Sequence, residues 1–344
     1  MTAARDFGIA CDGSAVKEVE LRSGELTMSV ISWGAVIRDL RPRTGPMADR
    51  ALVLGLNTLA DYETYSPHFG AIAGRVANRI KAGRAKLEGR EIALTQNTAD
   101  GNHLHGGAMG FGRRNWRITR IGSSSVKLAL TSPDGEEGYP GTLEVDLLYR
   151  LEGGNVITEI EAATDAPTFV NLAQHSYFNL DGGGNIWGHH LQIPAQHMTP
   201  TDRALVPTGD VVEVAGTAFD FRTMRTVQSA DEPATRYDIN YCLVETPRRE
   251  PAFAARLEGA SNGVRLDLKT TEPGLQFYDG GGIDVPVEGL DGSGYGPHSG
   301  LCLEAQRWPD APNHDHFPAI VLRPGETYRQ RTEFCFSWPS VPTN

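Results

Sequence analysis

Alternation with a period of two is the feature that most restricts this chain. From Leu143 to Arg150, the apolar Leu143, Val145, Leu147 and Tyr149 interleave with Glu144, Asp146 and Arg150. Side chains on a strand point alternately to its two faces, so the stretch reads as a half-buried strand of an antiparallel sheet. Comparable β patterns cover 16–40, with a bend at Trp33-Gly34-Ala35, and 51–54, 116–118, 126–130 and 156–162. They resume at 211–214, 241–244, 264–268, 275–278, 301–305 and 319–322. Lys86 to Ile92 reads as a hairpin turning at Glu88-Gly89. No strong helical period interrupts the series. With 39 glycines and 21 prolines among 344 residues, short strands joined by many turns are expected. The expectation is an all-β sandwich, mostly antiparallel with few short helices, forming a single domain over 5–341. The glycine-rich stretch 279–300 reads as a long loop, a rim or lid.

Charge excludes several function classes. The net charge is −11 and no basic run stands out, so neither nucleic acid nor an anionic membrane is an expected partner. No stretch of about 18 apolar residues is present, and the first seven residues lack the apolar core of a signal peptide. Cys11, Cys242, Cys302 and Cys335 are widely spaced with no Cys-x-x-Cys, and read as buried thiols in a reducing cytoplasm.

Several segments carry groups capable of chemistry. In 171–180, read as one strand, Asn171, Ala173, His175, Tyr177 and Asn179 would share a polar, aromatic face, either the floor of a cleft for a hydroxyl-rich ligand or the setting of a structural histidine. Gly70 to Lys81 contains Arg75 and Arg79 but no Gly-x-Gly-x-x-Gly, so no dinucleotide is expected; the arginines are either structural or cradle an oxygen ligand. His103-Leu104-His105 would place two imidazoles on one strand face. The glycines that follow, with no acid among them, argue against a metal site. In Gly300 to Trp308, Cys302, Glu304, Gln306 and Trp308 alternate with an apolar face, which makes Glu304 either a base in a partly dry site or a solvent-facing glutamate. Asp238 reads as a turn aspartate or a second acid, and Gln276 as a lone polar residue in an apolar strand.

Taken together, these segments resemble the aldose 1-epimerase (galactose mutarotase) family. The resemblance rests on Gly-Arg-Val-Ala-Asn-Arg-Ile at 74–80, Asn-His-Leu-His-Gly-Gly at 102–107, His-Ser-Tyr-Phe-Asn-Leu at 175–180 and Tyr-Asp-Ile-Asn at 237–240. It continues with Pro-Gly-Leu-Gln-Phe-Tyr at 273–278, Ser-Gly-Leu-Cys-Leu-Glu-Ala-Gln at 299–306 and Trp-Pro-Asp-Ala-Pro-Asn-His at 308–314, in the family's order along nearly the whole chain. It implies a galactose mutarotase-like β-supersandwich with an open cleft, exchanging the anomers of free aldoses such as galactose and glucose. By motif position it implies Glu304 as general base and His175 as general acid. Arg79 and His105 would lie near the ring oxygen, Asp238 would hold sugar hydroxyls, and Asn78 and Gln276 would be further contacts. His103 is not implied. No cofactor or metal is expected, and the protein would be a monomer or homodimer. Ala305, where many relatives have threonine, and Arg307 depart from the pattern and bear on sugar preference. A histidine beside carboxylates is expected to stay protonated toward neutral pH. The competing readings are a glycoside hydrolase pairing Glu304 with Asp238, a non-catalytic sugar-binding protein, a metal-dependent sugar isomerase, and a mutarotase acting on a phosphorylated sugar.

Overall fold

The structure is a computed structural model that describes residues 3–228 and 235–339; the expected domain end at 341 lies outside the described residues. Its largest sheet has nine strands. The centre is built from Ser125–Ser132, Leu143–Glu152, Asn155–Thr164, Tyr328–Ser337, Arg265–Thr270 and Ala252–Glu258, in that order. The alternating stretch singled out above is a central strand, paired residue for residue with Asn155–Thr164 through a two-residue Gly153-Gly154 turn. Gly153 sits at φ 56°, a conformation that suits glycine. Leu143, Val145, Leu147, Tyr149 and Leu151 are all at most 2% exposed, and each contributes on the order of 2 kcal/mol of burial.

A six-stranded antiparallel sheet runs in the order Tyr177–Phe178, Leu301–Gln306, Gly274–Tyr278, Asp238–Cys242, His197–Thr199, Val212–Glu213. One face of it supplies Leu301, Leu303, Ala305, Leu275, Phe277, Ile239 and Tyr241 to the same hydrophobic cluster that holds the inner face of the nine-stranded sheet. That shared cluster is the filling of the sandwich. A four-stranded N-terminal meander, Arg5–Ile9 to Val36–Pro42, adds Val19, Leu21, Met28 and Val30 to it. Among the described residues one α-helix occurs, Leu59–Tyr65, whose first turn is capped by the Thr58 side chain accepting from Asp61 N.

The hairpin over 86–92 forms as expected, with Glu88 at φ 50° and Gly89 at φ 82°, both left-handed as its two-residue turn requires. Four expectations are corrected. The 51–54 stretch makes only an isolated bridge, Val53 to Phe178. The stretch 279–300 is not an open loop. It contains the paired strands Val285–Glu288 and Gly294–Tyr295, and it buries Ile283, Val285 and Tyr295 in a second cluster with Leu54, Tyr177 and Cys302. The third is a strand that the pattern does not reveal: Tyr328–Ser337 lies at the centre of the large sheet, its buried side carrying Gln330 and Thr332 beside Tyr328, Phe334 and Phe336.

The fourth concerns 171–180, which is not one strand. Ala173–His175 pairs with Ala71–Ala73, and Tyr177–Phe178 pairs with Leu301–Gln306, with a break at Ser176. The two asparagines therefore do not share a cleft floor with His175. Asn171 is bound to the Arg307 backbone, and Asn179 donates to the carbonyl of Ser299.

Candidate active site

The core and the site share one piece of chain. Because Leu301, Leu303 and Ala305 face the core, Cys302, Glu304 and Gln306 must face the other way, and all three are buried there. Register then sets the neighbours. Glu304 lies opposite Gln276, which lies opposite Asn240; Cys302 lies opposite Tyr278, which lies opposite Asp238. Gln276 donates to Asp238 across the diagonal at 2.6 Å. Asp238 is thus the first residue of a strand rather than a turn aspartate.

His175, at the end of its strand, brings Nε2 to 3.6 Å from Glu304 Oε2. Its Nδ1 lies 3.5 Å from the Cys302 sulfur. Glu304 Oε2 has no hydrogen-bond partner among the described residues, although the side chain is nearly fully buried. An unsatisfied buried carboxylate oxygen is costly, and it points to a donor supplied by something that binds.

His105 is held by Asn78. Its backbone N–H donates to the Asn78 carbonyl at 3.0 Å, and the Asn78 N–H donates to its Nδ1 at 3.1 Å. Nδ1 is therefore the acceptor, and the proton of the neutral ring is carried on Nε2. The two imidazoles of the His-Leu-His run do not share a face, because His105 sits at φ 49° and leaves the strand direction. His103 points away and is bound at both nitrogens, to the Thr95 carbonyl and the Tyr139 hydroxyl. The Asn78 side chain caps the Arg79 N–H, and Arg79 Nη1 lies 3.6 Å from Asp238 Oδ2.

The arginine pair divides. Arg75 is 1% exposed and donates to the carbonyls of Ser132, Pro133, Pro140 and Gly141 and to the hydroxyls of Ser132 and Thr168. It is a structural tie, and Arg79 alone reaches the site. The sequence reading missed His68, whose ring centre is 4.7 Å from that of His105 and 5.7 Å from that of His175. A lone histidine between Pro67 and Phe69 carried no signal in the sequence.

Burial dominates the electrostatics. It raises Glu304 well above the ordinary carboxylate range, the Asp238 charge adds to the effect, and Arg79 opposes it. Burial also raises Asp238, against Arg79 and Gln276. It lowers His175 to about 3 and His68 to about 4, and it holds His105 well below its usual value. The expectation of a His175 that stays protonated toward neutral pH is therefore corrected. Lifting an imidazolium out of water, with His68 adding to the cost, outweighs the pull of a carboxylate that is itself pushed toward neutrality.

His105, His175 and Glu304 each offer one ligand atom, and the three atoms lie within 4.8 Å of one another. Bonds of about 2.1 Å to a tetrahedral zinc would need donors about 3.4 Å apart, so the trio would have to contract to grip such an ion. A groove of about 590 Å³ lies elsewhere, lined by residues of the large sheet such as Lys127, Asp146, Glu161 and Arg329. Its acids are paired with its bases, Lys127 with Asp146 and Arg329 with Glu161, and it lacks an isolated acid–base couple.

A dry acid–base couple flanked by an arginine and a second carboxylate, on the polar face of one sheet of a β-sandwich, is the equipment of an enzyme that moves protons on a polyhydroxylated substrate. Residues 17–335 match the family model described as aldose 1-epimerase, and the chain belongs to that family. It is 43% identical to galactose mutarotase of Bos taurus over 328 residues, covering 94% of each chain. It is 35% identical to aldose 1-epimerase of Escherichia coli K12, covering 95% of this chain and 97% of that one. Among solved structures, a GalM/aldose epimerase homologue from C. elegans superposes with a TM-score of 0.87 at 29% identity, covering 95% of this chain and all of the other. Galactose 1-epimerase of Lactobacillus acidophilus gives 0.82 at 28% identity, covering 99% of both.

Proposed function

We propose that this protein is an aldose 1-epimerase, interconverting the α and β anomers of free aldoses such as galactose and glucose. The observation that carries this reading is the couple of Glu304 and His175 at 3.6 Å, with an orphaned carboxylate oxygen. Mutarotation needs no more than one proton taken and one given. The C1 hydroxyl gives its proton to Glu304 while His175 delivers one to the ring oxygen. The C1–O5 bond breaks, a carbonyl forms at C1, C1 turns about its bond to C2, and the reverse transfers close the ring on the other face. In the free enzyme the couple holds one proton between its members. Arg79 favours the carboxylate form of Glu304, and a sugar hydroxyl donating to Oε2 adds to that, moving the shared proton onto His175. His105, donating from Nε2, and Arg79 stabilise charge at the ring oxygen. Asp238, held by Gln276, accepts from sugar hydroxyls, and Asn78 and Gln276 complete the polar lining. The chain acts as one domain. Its four cysteines are free, though only Cys302 is buried as expected, Cys242 and Cys335 being half-buried and Cys11 exposed; free thiols fit a cytoplasmic setting, and it works as a monomer or homodimer.

Polarimetry on freshly dissolved α-D-galactose and α-D-glucose tests the reading. Relaxation faster than buffer, undiminished by a chelator, is the expected result. Loss on chelation would favour a metal held by His105, His175 and Glu304. Relaxation at the buffer rate on both sugars, with sugar binding retained, would favour a binding protein. Reducing sugar released from a glycoside would favour a hydrolase.

The pH profile follows from the couple. Activity needs one proton on it, and a second is taken up only where His175 protonates, which burial holds at about 3. The acid limb of kcat/KM is therefore expected to lie well below the ordinary histidine value of 6.5. An acid half-point at or above that value would contradict a neutral, buried His175.

A further inference from the structure

The Trp-Pro-Asp-Ala-Pro-Asn-His run at 308–314 lies outside the chemistry derived above. Its Asp310 is an unusual residue. The side chain is fully buried, and the backbone sits at φ 57°, in the left-handed region. A buried carboxylate in that conformation is expensive twice over, in desolvation and in backbone strain. Its bonds show what it holds. The Asp310 N–H donates to the Arg79 carbonyl at 3.0 Å, and Oδ1 accepts from the Lys81 N–H at 3.0 Å. The two bonds straddle Ile80 and grip the backbone on both sides of it. Oδ1 also accepts from Asn313, which in turn donates to the Arg84 carbonyl, and Oδ2 lies 3.3 Å from His314 Nε2. At the other end of the run, Trp308 donates to the Pro273 carbonyl, just before the strand that carries Gln276. The run begins two residues after the strand that carries Glu304.

The Arg79 guanidinium is loosely held by comparison. Its nearest charged neighbour, Asp238, is 3.6 Å away, and no side-chain hydrogen bond of its own fixes it among the described residues. Where it sits is decided by where its backbone is held. We propose that Asp310 is a positioning residue for Arg79: it clamps the 79–81 backbone to the end of the Glu304 strand, so that the guanidinium and the carboxylate keep a fixed separation across the sugar. The inference rests on the role given to Arg79 above.

The test is a mutant cycle read by anomer exchange on galactose, with kcat and KM measured separately and folding checked by thermal melts. Asp310→Gly suits the left-handed backbone and keeps the N–H to Arg79 while deleting Oδ1, so it is the variant that isolates the clamp. It is expected to lower kcat/KM about 30-fold, mostly in kcat, as a misplaced catalytic group does. Asp310→Asn keeps the Oδ1 acceptor and is expected to stay within about threefold of the parent. Arg79→Ala is expected to cost about 100-fold. The double variant Arg79→Ala/Asp310→Gly should then lose no more than Arg79→Ala alone, because a clamp has nothing left to position. Losses that multiply in the double variant, or an Asp310→Gly that melts lower yet turns over normally, would overturn the proposal. Arg79→Ala at the parental rate would overturn the role of Arg79 itself, and that outcome is distinct from either of the others.

Discussion

Glu304→Gln is expected to slow anomer exchange by about a thousandfold while leaving the fold intact. The amide is nearly the same size as the carboxylate and sits in the same buried slot, opposite Gln276. It removes no apolar contact from the core, because Leu303 and Ala305 face the other way. It also relieves the cost of holding an ionisable group without a partner at Oε2. Thermal stability should therefore hold or rise as activity falls, the pattern of a group kept for chemistry at the expense of stability. On the proposed mechanism, what is lost is the base that takes the proton of the C1 hydroxyl. Polarimetry on α-D-galactose at neutral pH measures the rate, and a thermal melt measures the fold. A Glu304→Gln variant within tenfold of the parent would remove Glu304 from the mechanism.

The second large effect falls on the fold. Arg75→Met is expected to destabilise the protein by about 4 kcal/mol, because it leaves several buried carbonyls without a donor. Arg75 ties the strand end at Ser132 to Pro140 and Gly141 and to Thr168. The methionine replaces the stem of the side chain and none of its hydrogen bonds. The shift should appear as a lower urea midpoint with an unchanged slope, and the molecules that remain folded should turn over near the parental rate. The neighbouring Arg79→Met should show the opposite pattern, a loss of rate with little loss of stability. Two arginines four residues apart in one motif would then separate by assay. Arg75→Met with normal stability and lost activity would reverse the assignment.

The sequence told much about the sheets and less about the connections. Strong alternation at 143–150 located a central strand, because one face of that strand is apolar throughout. The equally central Tyr328–Ser337 escaped, because Gln330 and Thr332 are buried polar residues that break the visible pattern. The Glu304 strand could be read from alternation alone, and its facing was correct as far as Gln306; Trp308, expected on the same face, lies beyond the strand end and packs with Val76, Ile80 and Phe317. The face assigned to 171–180 was not, since alternation fails where a chain changes partners, as this one does at Ser176. Motif order drew attention to Arg79, His105, His175 and Asp238. That His103 is bound at both nitrogens, that His68 joins the histidine cluster, and that Arg75 is a tie follow only from the folded chain, because each depends on partners distant in sequence. Burial lowers the affinity of His175 for a proton, and burial is a property of the whole packing rather than of neighbours along the chain.

The double-sided strand Leu301–Gln306 limits how such a protein can adapt. Three of its side chains fill the sandwich and three face the other way, Cys302 and Glu304 against His175, so neither set can be repacked without tilting the other. A lineage that moves to a hotter habitat cannot remodel this part of the interior and leave catalysis untouched. Compensating changes are expected at the rim, in segments free of that shared strand, and drift in the interior should be slowest at Leu301 and Leu303.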